Sequence, residues 1–181
     1  MSLLSRRPLL AAATVRRLPE RSARETRQLT AALRDLHRLS SGWAGGGAES
    51  AAPARLGVLL RSYHEAERRF GVDWQVLAAI NLVESSFGRA RVNSVAGARG
   101  PMQFIPSTWR RYGLGGDVYD PHDAIIGAAN LLSRAGAPRS YGEALYAYNA
   151  SALYVDAVQR YARLLAADRQ LLYLLYSWPH P

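Results

Sequence analysis

From Arg55 onward the chain is punctuated as one helix after another, and no run shows sustained strand alternation. Arg55 to Phe70 carries Leu56, Leu59, Leu60 and Tyr63 on one side, and Gly71 ends it as a C-terminal cap. Asp73 reads as the N-cap of the next helix, where Val76, Ile80 and Val83 fall at i, i+4 and i+7. Pro106 to Trp109 opens a short helix closed by Tyr112-Gly113. Asp120-Pro121-His122-Asp123 supplies an N-cap, a proline at the first helical position and an acid at the third. That helix runs to about Ala135 and stops at Gly136. Ser140-Tyr141-Gly142-Glu143 is a capping box that starts another helix. A final long helix covers about Ala152 to Ala167, ahead of an aromatic tail around Leu171 to Trp178. The predicted class is all-α, with no fixed repeat period.

Upstream, residues 7 to 40 also read as helical, divided by Pro19. The longer piece, roughly Arg21 to Leu39, places Leu29, Leu33 and Leu36 at helical spacing. Ser40 to Gly47 reads as a flexible Gly/Ser linker. Residues 1–52 are therefore expected to form a helical arm and linker, and 53–181 a compact domain. The arm fits either a docking segment or the remains of a larger domain. At 181 residues and 49% hydrophobic, the chain can bury a real core, which excludes a disordered or collagen-like protein.

Cysteine is absent, so disulfides and thiolate metal sites are excluded. His37, His64, His122 and His180 show no metal-ligand spacing, and no metal is expected. All 23 basic residues are arginine, and the formal net charge is +9. They are spread along the chain rather than interleaved with aromatics, so nucleic acid is not the expected partner. The N-terminal apolar run from Leu9 to Val15 is too short to span a membrane. Ser5-Arg6-Arg7-Pro8-Leu9-Leu10 superficially resembles a twin-arginine export signal, but the apolar region behind it is too short. A chain that has lost an upstream export sequence is the expectation.

The chemistry concentrates in Glu84-Ser85-Ser86-Phe87-Gly88 and the run from Asn93 to Phe104. Glu84 sits at the end of an apolar helix, where the partial negative charge of the helix terminus disfavours a carboxylate. Phe87 and Met102 are candidates to desolvate it further. A raised-pKa acid beside a loop rich in glycine and small polar residues suits a general acid at a substrate groove. Glycosidic cleavage normally requires a second carboxylate as base or nucleophile. None is obvious: Asp117, Asp120 and Asp123 downstream, and Glu65, Glu67 and Asp73 upstream, are the available acids, and several already read as helix caps. One acid suffices if the attacking hydroxyl belongs to the substrate.

Three ordered motifs carry a family resemblance. Glu84-Ser85, the run Ser94-x-x-Gly97-Ala98-x-Gly100-x-Met102-Gln103-x-x-Pro106-x-Thr108, and Ala147-Tyr148-Asn149 resemble those of lytic transglycosylases with a lysozyme-like catalytic domain. The resemblance covers about Arg55 to Ala166. Pro101 stands where the family usually has Leu, and Gly-Pro-Met-Gln-Phe occurs in one branch of it. The resemblance implies a lysozyme-like helical domain with a substrate groove. It implies cleavage of the bond between N-acetylmuramic acid and N-acetylglucosamine in peptidoglycan without water, leaving a 1,6-anhydromuramic end. Glu84 then matches the acid/base. Ser85, Ser94, Met102, Gln103, Tyr148 and Asn149 match groove or substrate-contacting residues. No cofactor is implied, a monomer is expected, and the substrate implies an extracytoplasmic location.

Each residue also has a plainer reading. Ser85 and Ser94 can be turn residues, Gln103 a helix cap, Met102 and Tyr148 packing residues, and Trp74 and Trp109 core. Two rival functions remain open at this level: a lysozyme-type muramidase, which needs a positioned water, and a non-catalytic glycan-binding module. A poised acid argues against the second.

Overall fold

The computed structural model describes residues 49–50, 52–91 and 97–177, with backbone only at 49–50 and 90–91, together with Glu20, Ala23, Thr26, Arg27, Thr30 and Ala31. Among the described residues the molecule is helical, as the punctuation predicts. The helices are α1 (Leu56–Phe70), α2 (Trp74–Ser85), α3 (Pro106–Tyr112), α4 (Pro121–Arg134), α5 (Tyr141–Tyr148), α6 (Ala152–Ala167) and α7 (Gln170–Ser177). The six described residues between 20 and 31 are helical too. The rest of the arm expected there, and the linker from Ser40 to Gly47, lie outside the described residues.

One element departs from the helical reading. β1 (Glu49–Ser50) pairs antiparallel with β2 (Ala90–Arg91), Glu49 opposite Arg91 and Ser50 opposite Ala90. Two residues per strand are too few to show an alternating pattern, so the sequence gives no sign of it.

α2 is the centre of the domain. Every residue of it except Gln75 is buried, and it packs against α1 and α6. A helix enclosed on all sides carries apolar residues all round. Leu77, Ile80 and Leu82, each no more than 1% exposed, contribute about 1.5–3 kcal/mol apiece by burial. α1 turns Leu59, Tyr63 and Ala66 inward against α4, whose Ala124 to Leu132 stretch is buried throughout.

Local signals place most helix ends. Gly71 adopts φ +69° and its N–H closes α1 on the Glu67 carbonyl. The Asp120 carboxylate accepts from the Asp123 N–H at 3.0 Å and starts α4. Two caps differ from expectation. Asp73 makes no side-chain cap to α2; instead Glu67, from the preceding helix, accepts from the Trp74 N–H at 3.1 Å. Ser140 stands at the N-cap of α5 without a side-chain bond, so the capping box is not formed. Trp74 is core, at 8% exposure, and Trp109 is partly buried against the core.

Candidate active site

The C-terminal turn of α2 brings Glu84 inside the molecule, at 4% exposure. The chain reverses directly after it: Ser86 and Phe87 both adopt left-handed backbone, φ +51° and +64°. For non-glycine residues this costs on the order of 1–2 kcal/mol each. The reversal buries the Phe87 ring against Tyr176, with centroids 5.8 Å apart.

Burial pushes Glu84 from 4.5 up to about 8, so the carboxyl keeps its proton at neutral pH. Desolvation is thus the leading cause, ahead of the helix-end effect that the sequence suggests. The Tyr154 hydroxyl faces the carboxyl and opposes part of the rise. It forms no well-aligned hydrogen bond, so its pull on the carboxylate is weak. Tyr154 lies on α6, and its ring stacks on that of Tyr148, with centroids 6.3 Å apart and planes 4° from parallel. Burial, and next the nearby Glu84 charge, pushes both phenols well above their usual range. Tyr154 is not among the site residues that the sequence singles out, although Tyr154-Val155, following Tyr148 to Ser151, belongs to the run that resembles one branch of the family. That run, with a tyrosine five residues after Asn149, is the signal that could have found it.

The other wall is a tight turn. Arg99 and Phe104 exchange both backbone hydrogen bonds at 2.9 Å, closing the chain around Pro101, Met102 and Gln103. Gly100 makes this possible: at φ +73°, a Cβ there would lie 1.8 Å from the Val118 carbonyl oxygen, so only glycine fits. The turn is fastened to two helices. The Ser85 hydroxyl donates to the Pro101 carbonyl at 2.6 Å, and the Tyr148 hydroxyl to the Met102 carbonyl at 2.7 Å. Phe104 meets the Tyr148 ring edge-on at 5.7 Å.

The residues singled out in the sequence therefore occupy different situations. Glu84, Ser85, Met102 and Tyr148 come together. Ser85 is 2% exposed, and its oxygen also accepts from the Gly88 N–H at 2.8 Å, so its hydroxyl is committed inside the protein. Met102 is fully buried. Gln103 is half-buried, at φ +50°, and its side-chain amide donates to the Gly100 carbonyl at 2.9 Å. Asn149 is exposed at the end of α5. Ser94 lies outside the described residues.

The other acids are occupied elsewhere. Asp117 accepts from the Tyr119 N–H, and Asp123 from the Asp117 N–H, both at 2.9 Å. Glu65 holds His122 at 3.1 Å, and Glu67 caps α2. No carboxylate among the described residues contributes to the titration of Glu84. Asp120, His122 and Asp123 bring one possible ligand atom each within 4.8 Å of one another, a grouping the histidine spacing did not reveal. Both His122 nitrogens already meet carboxylates, Asp123 at 3.0 Å and Glu65 at 3.1 Å, and these partners raise its pKa.

Comparison with known proteins places the chain in a family. The transglycosylase SLT domain family matches residues 61–170. Membrane-bound lytic murein transglycosylase F of Thiobacillus denitrificans is 32% identical over 124 residues, which is 64% of this chain and 26% of that protein. Membrane-bound lytic murein transglycosylase F 1 of Alkalilimnicola ehrlichii is 33% identical over 114 residues, 59% of this chain and 23% of that protein. The chain thus spans about a quarter of the length of these curated relatives. No solved structure matches it. With more than half of the chain matched, including every helix that holds Glu84 and its partners, the chain belongs to the transglycosylase SLT domain family.

Proposed function

We propose that this chain is a peptidoglycan lytic transglycosylase in which Glu84 is the single acid and base. One observation carries the reading: a carboxyl buried to 4% exposure and holding its proton to about pH 8, with no second carboxylate influencing it. Such a group can give a proton and cannot rely on a neighbouring base.

The reaction closes without water. Glu84 gives its proton to the oxygen linking N-acetylmuramic acid to N-acetylglucosamine. The bond from that oxygen to the anomeric carbon breaks, and the glucosamine sugar leaves as an alcohol. The resulting carboxylate takes the proton from the muramic 6-hydroxyl, whose oxygen bonds to the anomeric carbon. A 1,6-anhydro ring forms and Glu84 is protonated again. Tyr154 opposes the new negative charge by offering its hydroxyl, which tightens only when the carboxylate forms.

Gln103 and Asn149 have the exposure to meet the glycan, and Ser94 keeps its proposed place beside the muramic sugar. Met102 serves as packing under the groove rather than as its surface, and Ser85 acts on the turn instead of on the sugar. No cofactor enters the reaction. Glycan strands are the partner, met by a single protomer outside the cytoplasm. The relatives' names specify murein and a membrane-bound state. Among the described residues no helix is long and apolar enough to cross a membrane.

Mass spectrometry of sugars released from purified peptidoglycan tests the reading. Anhydro ends from the wild type, and no cleavage by Glu84→Gln, are expected. Cleavage should fade as pH rises through about 8, where Glu84 loses its proton. Hydrated reducing ends would overturn the reading in favour of hydrolysis. Binding without cleavage by the wild type would leave a glycan-binding module.

A further inference from the structure

Asn81 is a buried polar side chain that the reaction does not use. It lies on α2 beneath Ser85 and is 0% exposed. Its side-chain nitrogen is 2.9 Å from the Tyr63 hydroxyl of α1, and its side-chain oxygen 3.3 Å from the Ser85 hydroxyl. In that orientation one Ser85 proton faces two side-chain or backbone oxygens of Asn81 as well as the Pro101 carbonyl. A hydroxyl has one proton to give. Turning the Asn81 amide over resolves this, because its oxygen and nitrogen have nearly the same shape. Tyr63 then donates to Oδ1, Nδ2 donates to Ser85, and Ser85 donates to Pro101.

We propose that Asn81 is a positioning residue that, acting through Ser85, clamps the Pro101–Met102 turn beside the Glu84 carboxyl. The turn is gripped on successive carbonyls, Pro101 by Ser85 and Met102 by Tyr148. Removing the amide leaves the Ser85 oxygen with one donor, the Gly88 N–H at 2.8 Å, in place of two, and lets its hydroxyl shift part of its bond from Pro101 to the Asn81 carbonyl 3.4 Å away. The turn's hold on α2 then loosens, and water gains access to the carboxyl. Among the described residues, the titratable groups that face Glu84 are Tyr148 from α5 and Tyr154 from α6. Neither is charged in the working range, so exclusion of water governs the carboxyl. This inference deepens the reading of Glu84 as the proton donor.

The test is the NMR titration of the Glu84 side-chain carboxyl carbon in the full chain, wild type against Asn81→Leu. Leucine keeps the volume and removes the amide. The midpoint should fall by about one pH unit. kcat should fall about tenfold with little change in KM, as expected for a displaced catalytic wall. A folded Asn81→Leu variant with an unchanged midpoint overturns the proposal, even if its melting temperature drops, since that result means packing alone. If Asn81→Leu does not fold, Ser85→Ala takes its place: a lowered midpoint supports the clamp and an unchanged one refutes it. The titration needs no turnover, so it stands or falls separately from the reaction proposed for Glu84.

Discussion

Keeping Glu84 buried destabilises the fold, and the loss depends on pH in a way that can be worked out. Below about 4.5 the carboxyl is protonated both folded and unfolded, and ionisation adds no penalty. Between 4.5 and about 8 the unfolded chain releases the proton while the folded one holds it. Stability therefore falls as pH rises through this window and levels off above the folded value. From pH 5 to pH 8 the two titration curves, at 4.5 and about 8, give a loss of about 3–4 kcal/mol. Glu84→Gln removes the titration. The buried amide has a fixed hydrogen-bonding cost of about 1–3 kcal/mol, which is the same at every pH. The difference in stability, variant minus wild type, should thus grow by about 3–4 kcal/mol between pH 5 and pH 8. For a chain of this size that is about 6–16 °C in melting temperature. Urea unfolding of both proteins at several pH values reads the difference directly, since all other titrating groups are shared. Parallel stability curves across the window would refute the burial argument, and the proton-donor role with it.

Two further outcomes follow from the walls of the site. Tyr154→Phe removes the hydroxyl that lowers the Glu84 pKa, so the alkaline edge of the activity profile should move to higher pH, while the rate falls; an edge that moves lower would show that the hydroxyl does not face the carboxylate. Gly100→Ala forces a Cβ to within 1.8 Å of the Val118 carbonyl oxygen, so it should cost about 3 kcal/mol or more and disrupt the turn under Gln103; thermal denaturation matching the wild type would refute that close approach.

The helix boundaries were legible because their signals are local. Gly71 needs only its own left-handed backbone, and the Asp120–Asp123 bond spans three residues. The misread caps depend on the third dimension. Asp73 has the composition of an N-cap, yet the Trp74 N–H is taken by Glu67, which α1 delivers from the other side of the turn. The Asp73 N–H itself goes to the Tyr141 hydroxyl, 68 residues away, a pairing no window of sequence contains.

The site is legible for a different reason. Asn81, Glu84 and Ser85 fall at i, i+3 and i+4, so they share one face of α2. On an ordinary amphipathic helix such a face is solvated, and that would be the plain reading of Glu84. Here the rest of α2 is apolar on every side, from Val76 to Val83, leaving the helix no outward face. A polar stripe on a helix that cannot surface must be buried, and a buried stripe must find partners inside. Asn81 and Ser85 find theirs in Tyr63 and Pro101. Glu84 stays protonated chiefly because burial desolvates it, and the weakly aligned Tyr154 phenol offsets only part of that. What the sequence could not supply was the identity of those partners, because Tyr63, Pro101 and Tyr154 arrive from three other parts of the chain. These partners hold the amide and hydroxyl of the stripe inside the protein and leave beside them a desolvated acid, which is the arrangement the proposed proton donor requires.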